Sequence, residues 1–252
     1  MGAQVPVCSD IYGVKAALVA VTNSNGNEPD VAVYCANLYL STTDSILSYI
    51  NQNRFEDSFF IKKLATDFGN EFFEAYNLNN DKNKLPRAWK LAYHPTSDAI
   101  SDFQLLLLGI NAHINCDLYD ALLVNYLPSK KKKIAHDFFL IDKIFLDVTQ
   151  SIVTNILTIP RLTEPEKKVL LQTIKRYERV GTYCRKLAYN SVEKSYNGNP
   201  ARVKRIVKRK DKRANKLASF IVHPRGKFKK SIAIISKYES TKTNENLKLF
   251  FP

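Results

Sequence analysis

Apolar residues recur at helical spacing through most of the chain, and nowhere do they alternate convincingly with polar ones over the length of a strand. Val31, Tyr34 and Leu38, continued by Ile46, Leu47 and Ile50, mark one helix, with Asp30 as its N-cap after Pro29. Ser41-Thr42-Thr43-Asp44 is expected to bend it. Phe60, Ile61, Leu64, Phe68, Phe72 and Ala75 form the stripe of a second helix capped by Asp57. It gives way at Asn77-Leu78-Asn79-Asn80-Asp81, a loop by composition. Pro86 suits the first turn of a short helix carrying Trp89 and Tyr93, which His94-Pro95 stops.

Thr96 or Ser97 opens the most apolar segment, about 97–126. There Leu105 to Leu108, Ile110, Ile114, Leu118, Leu122 and Leu123 cover more than one face, as in a buried central helix. Pro128 and the lysine run Lys130 to Lys133 make a short solvated connection. The next helix, Ile134 to Leu157, is therefore expected to fold back antiparallel beside the central one. Thr163-Glu164-Pro165-Glu166 combines a capping box with a tolerated proline and starts a long helix to about Tyr196. Asn199-Pro200 starts the last, about 200–222, ending near His223-Pro224. The pattern predicts an all-α, bundle-like domain of about seven helices around the 97–126 helix. Residues 1–29, rich in turn formers at Asn23 to Asn27, read as an N-terminal arm whose apolar stretch from Ala16 to Val21 could pack on the body. Residues 30–230 read as the helical domain and 231–252 as a C-terminal tail, mobile from Glu239 to Asn244.

Composition narrows the classes. The 252 residues suit one large core, and a hydrophobic content of 45% is that of a globular protein. No apolar run reaches the roughly 18 residues of a transmembrane segment. Met1 to Ala20 lacks the layout of a signal peptide, which points to the cytoplasm. Cys8, Cys35, Cys116 and Cys184 show no C-x-x-C spacing and read as free thiols. No G-x-S-x-G elbow, P-loop or dinucleotide fingerprint is present. The net charge of +14 is local: Ala201 to Lys230 holds 13 Lys and Arg against one Asp.

The candidate chemistry lies inside the apolar segment, where Asn111, His113, Asn115 and Asp117 interrupt the greasiest helix. At about 100° per residue His113 and Asp117 share a face, with Gly109 one turn before them, while Asn111 and Asn115 pair on another. Buried without a partner, each group would cost about 1–3 kcal/mol. Two readings stand. In one, His113 and Asp117 are metal ligands or an acid–base pair, and Gly109 leaves room for a ligand. In the other, His113 donates to Asp117 or a backbone carbonyl, Gly109 permits a close helix crossing, and the asparagines pin neighbouring loops.

The antiparallel return makes Asp142 the carboxylate best placed to approach His113 and Asp117, with His136 and Asp137 nearer the hairpin end. His113, Asp117 and Asp142 suit one divalent ion, zinc or similar, with His94 a further nitrogen. Asn111, Asn115, Asp137 and Asp211 would form the supporting polar cluster. Asp211 is assigned to the inward face marked by Val203, Val207, Ala214, Ala218 and Ile221, where it would complete the centre or pair with Arg185.

Two functions follow. The first is metal-assisted hydrolysis of a phosphate- or ester-bearing substrate, with His113 and Asp117 catalytic and an anionic substrate drawn in by the basic last helix. The second is a non-catalytic helical binding protein whose basic face, Lys204, Lys208, Arg209 and Lys212, meets an anionic membrane surface or nucleic acid.

These residues also carry a resemblance. Gly109 to Leu118, with Tyr34, Thr42, Phe55-Glu56-Asp57, the stripe Phe68, Phe72 and Tyr76, and Pro86-Arg87-Ala88-Trp89, resembles a bacterial family of unknown function with an N-A-H-I-N-x-D-L core. Asp137-Phe138, Arg185 to Ala188 and Asp211 through Pro224 are similar to its later segments. The likeness spans about Tyr34 to Pro224. It implies a helical bacterial protein with the polar motif at its centre, and no established activity. Asp142 stands where the family often has Asn, and Tyr189 where Trp is usual.

Overall fold

The computed structural model describes residues 4–23, 30–97, 100–240 and 243–251. Among them the chain is helical with no strand: α1 (Ile11–Asn23), α2 (Val31–Asn51), α3 (Ser58–Asn77), α4 (Arg87–Tyr93), α5 (Asp102–Ala112), a π-helical turn (His113–Asp117), α6 (Leu118–Asn125), α7 (Lys131–Leu157), α8 (Glu164–Tyr196), α9 (Pro200–Val222), α10 (Gly226–Ser236) and α11 (Thr243–Phe250). Because α5, the π turn and α6 are continuous, these are ten helices, more than the pattern predicts.

The caps explain where most helices start. The Asp30 carboxylate accepts from the Ala32 N–H at 2.7 Å and Asp57 from Phe60 at 3.0 Å. Thr163 with Glu166 forms the expected capping box, and Asn199 accepts from Arg202 at 2.9 Å. The central helix starts later than expected. Ser101 and Gln104 make a reciprocal capping box there, a signal overlooked between Ser97 and the first leucines. Helix α2 runs on through Ser41 to Asp44, where Ser41 and Thr42 return their hydroxyls to the carbonyls of Asn37 and Leu38.

The ends differ most from the sequence reading. The residues taken as an arm contain α1, whose Ile11, Val14, Leu18 and Val21 are fully buried against α2 and α3. Short segments look unstructured from sequence when the surface that buries them is remote in the chain. Residues 24–29, which include most of the turn formers, lie outside the described residues. The supposed tail contains α10 and α11. Phe250 is buried with its ring edge-on to Tyr34, and Asn246 donates to Asp102 at 2.6 Å. Asp102 in turn accepts from the Tyr34 hydroxyl, so one buried carboxylate joins α2, α5 and α11. Residues 241–242 of the expected mobile stretch lie outside the described residues.

Two apolar clusters fill the interior, with Phe68 and Ile110 packed against both. Helix α7 packs chiefly on α2, α8 and α11 rather than flat against the central helix, and cavities occupy the space between the two. No helix among the described residues is long and apolar enough to cross a membrane.

Candidate functional site

The central helix changes its hydrogen bonding at the polar motif. Over His113–Asp117 the backbone is π-helical, and the Leu118 N–H bonds to the His113 carbonyl. Such single turns insert a residue into an α-helix and recur at functional sites. All five residues of the turn are buried.

His113 and Asp117 meet inside it. His113 Nδ1 lies 2.7 Å from Asp117 Oδ2, and the Trp89 indole N–H donates to both carboxylate oxygens at 3.1 and 3.0 Å. The carboxylate thus has its partners in a buried site. Burial pushes Asp117 above the ordinary carboxylate range, while the bonds from His113 and Trp89 oppose that shift. Aromatic rings enclose the imidazole. Phe68 stacks on it at 3.6 Å and 7°, Tyr39 and Phe72 stand edge-on at 5.2 and 5.8 Å, and Trp89 lies at 6.2 Å. The other ring nitrogen, Nε2, is buried and has no hydrogen-bond partner.

His113 lines a cavity of about 70 Å³ between α2, α3, α7 and α8. Its walls are almost wholly apolar, with Leu38, Phe68, Ile114 and Phe138 among them, and Asp142 and Arg185 also line it. Those two form a buried ion pair through Arg185 Nε, with the guanidinium 4.5 Å over the Phe145 ring. Burial lowers the Arg185 value and the Asp142 charge opposes that. A second cavity, about 120 Å³, adjoins along α7 and is lined by residues of α5, α7, α8 and α9.

The predicted metal set is only partly assembled. His113 and Asp142 line one cavity, but Asp117 is engaged by His113 and Trp89, and Asp142 by Arg185. Among the described residues no three His, Cys, Asp or Glu side chains form a group able to hold a metal ion. Nε2 of His113 is the donor of the set without a partner. His94 is elsewhere, its Nε2 2.9 Å from the Asn79 carbonyl.

The supporting cluster divides. Asn115 donates to Asn111 Oδ1 at 3.0 Å, and Asn111 donates to the Ala214 carbonyl at 3.0 Å, so the pair ties the π turn to α9. Asp137 is not part of this centre. Fully buried, it accepts from the backbone N–H groups of Glu56 and Asp57 at 2.9 and 2.7 Å and holds the entry to α3. Asp211 is exposed, and Arg185 pairs with Asp142 instead. Ala214, Ala218 and Ile221 are buried on the expected face of α9, Val203 and Val207 are half-buried, and it is Lys210 rather than Asp211 that shares that face. Gly109 makes room for a helix rather than a ligand, since a Cβ there would stand 3.0 Å from the Cys35 Cβ on α2.

Sequence reasoning missed three groups. Trp89, the chain's one tryptophan, orients the carboxylate. Lys210 reaches inward to donate to the Cys116 carbonyl at 3.0 Å and to Asp120 at 2.6 Å, while Arg213 Nε donates to Asn115 at 2.9 Å. Spacing could have found Lys210, because it lies four residues before Ala214. The other predicted basic residues, Lys204, Lys208, Arg209 and Lys212, are exposed.

No curated protein and no solved structure matches the chain. A family model covers residues 11–224, so it takes in α1, the π turn, both ion-paired helices and α9. The chain therefore belongs to a family of unknown function, DUF5995.

Proposed function

We propose that the protein is a hydrolase of an apolar, ester-bearing small molecule, with His113 as general base and Asp117 as the group that orients it. The observation that carries this reading is the unpartnered, buried Nε2 of a histidine that lines an apolar cavity while a carboxylate holds its Nδ1. With the Nδ1 proton donated to Asp117, Nε2 offers its lone pair, which is the tautomer a general base requires. Trp89 fixes the carboxylate, and the stacked Phe68 fixes the plane of the ring.

In the proposed reaction Nε2 takes a proton from water as its oxygen attacks the ester carbonyl carbon. The tetrahedral intermediate collapses with cleavage of the bond to the alcohol oxygen, and the proton passes from His113 to that leaving group. The products are a carboxylic acid and an alcohol. Arg185, on the wall of the same cavity, supplies positive charge for the carbonyl oxygen.

The test is turnover of para-nitrophenyl esters by wild type, His113→Ala and Asp117→Asn. General-base catalysis is worth about 10²–10⁴-fold, and His113→Ala should lose it. Equal rates in a folded His113→Ala variant would refute the proposal. Activity that survives dialysis against a chelator assigns the water to His113; loss restored by zinc would favour the metal-assisted mechanism. One observation favours a second reading: Lys204, Lys208, Arg209 and Lys212 are all exposed on α9 while its apolar side is in the core. Binding of duplex DNA or anionic vesicles that weakens steeply with salt, and disappears on charge reversal at Lys208, Arg209 and Lys212, would establish that face as a docking surface.

A further inference from the structure

The two cavities beside the central helix share four wall residues, Ile110, Ile114, Phe145 and Arg185. They follow one another along α7. The smaller is lined from Phe138 to Phe145, and the larger from Phe145 to Ile156. That span is about 27 Å of helix at the α-helical rise. The larger space approaches the roughly 150 Å³ at which an apolar cavity admits an apolar guest, and the smaller is about half that. Neither alone is long, but they adjoin at the four shared side chains, and their walls are chiefly apolar with a few polar groups set among them, Thr149 and Glu178 on the larger in addition to those at the junction.

Those polar features occupy distinct places. His113 lines only the smaller cavity, and the Arg185–Asp142 pair stands where the two meet. A buried ion pair is costly to desolvate and is weak as a stabilising device, so its retention at a junction between greasy spaces calls for another role. Val180 and Gly181 of α8 line the larger cavity and Val180 is surface-exposed, so that cavity lies close to the outside near the Arg185 junction. Gly181 leaves that wall thin. A Cβ at this position would stand 3.2 Å from an Arg185 guanidinium nitrogen.

We infer that the ligand is a single long-chain acyl ester, its hydrocarbon tail lying in the larger cavity and its carbonyl in the smaller one between Arg185 and His113. This assignment of substrate class rests on the hydrolase reading given above. Two adjoining, chiefly apolar spaces fit one chain with a single polar group, and a carbonyl oxygen is a neutral acceptor that an Arg already paired with Asp142 can still meet.

Two measurements on the full chain separate this inference from the hydrolase reading. Displacement of a fluorescent polyene fatty acid by butanoate, decanoate and hexadecanoate reports chain binding without chemistry. Hydrolysis of the corresponding para-nitrophenyl esters reports the reaction. The inference expects affinity and kcat/KM to rise at least tenfold from the butanoyl to the decanoyl compound. It expects Val153→Phe, which fills the larger cavity, to abolish that rise and leave the butanoyl rate within about twofold, by analogy with a blocked hydrophobic subsite. Leu107→Phe fills the same cavity from α5 and replaces Val153→Phe if that variant melts early. Chain-length-independent displacement, or a rise that both filled variants retain, overturns the inference. Chain-dependent displacement with no turnover of any ester overturns the hydrolase reading and leaves a chain-binding protein.

Discussion

Replacing Trp89 with Phe tests whether the π turn is organised around a held carboxylate. The indole N–H donates to both oxygens of Asp117, and Trp89 and Asp117 are each under 5% exposed. Removing the donor forfeits a hydrogen bond to a charged acceptor, about 1.5–3 kcal/mol. The smaller ring also leaves space in a site walled by Phe72, Tyr93 and His113, which adds on the order of 1 kcal/mol. A total loss of about 2–4 kcal/mol is expected, read from urea unfolding followed by helical circular dichroism. The packing part would appear whatever Trp89 does to Asp117, so the discriminating measurement is a double-mutant cycle with Asp117→Asn. An amide keeps the shape of the carboxylate and removes its charge, so Trp89→Phe should cost about 1–2 kcal/mol less in that background. Additivity to within about 0.5 kcal/mol would refute the claim that the indole N–H holds the carboxylate.

Lys210→Met keeps much of the side-chain volume while leaving the Cys116 carbonyl and Asp120 without the ammonium; a loss on the order of 1–3 kcal/mol is expected by thermal melting. Asp211→Asn, one residue further along α9 and exposed, should stay within about 0.5 kcal/mol, and a larger effect would contradict the register of α9. Gly69→Ala places a Cβ 2.7 and 2.9 Å from the two Val14 methyls. Overpacking of about 1–3 kcal/mol should exceed the roughly 1 kcal/mol helix-propensity gain, and Val14→Ala should relieve it. Glu71 and Glu239 are both raised from 4.5 to about 7, chiefly by burial, with Asp117 and Asp120 acting on the first and Asp102 on the second. Between those pH values the native state holds a proton that the unfolded chain has released. Their contribution therefore favours the fold below about 4.5 and is lost as pH rises toward 7. Each group contributes at most about 3 kcal/mol, and partial solvent access reduces it. Unfolding free energies of Glu239→Gln and wild type should converge at low pH and separate toward neutrality; parallel curves would contradict the burial of that carboxyl.

Local rules reached the body of this fold and faltered where a remote surface decides the outcome. Asp57, Thr163 and Asn199 announce their helices because a cap is a transaction between neighbours in sequence. The burial of Leu18 and Phe250 depends on partners tens of residues away, and beyond the apolar stretch Ala16 to Val21 little within α1 or α11 reports it. The same division runs through the site. That His113 and Asp117 share a face follows from their spacing, and their 2.7 Å contact is a local event. The partners that decide what the pair can do come from elsewhere: Trp89 from α4, Phe68 from α3, and Lys210 and Arg213 from α9. Asp142 shows the limit most clearly. Register in a presumed hairpin placed it on the cavity that His113 also lines but could not reveal that Arg185, on the following helix, already holds it. A buried carboxylate read from sequence is an unpaired charge in search of a partner, and a metal ion and an arginine satisfy that need equally well on paper. Desolvation favours whichever the fold delivers, and here the chain delivers a guanidinium to Asp142 and leaves one imidazole nitrogen without a partner. The proposed chemistry of the centre therefore turns on Nε2 of His113, the one group of the predicted set that has no partner among the described residues.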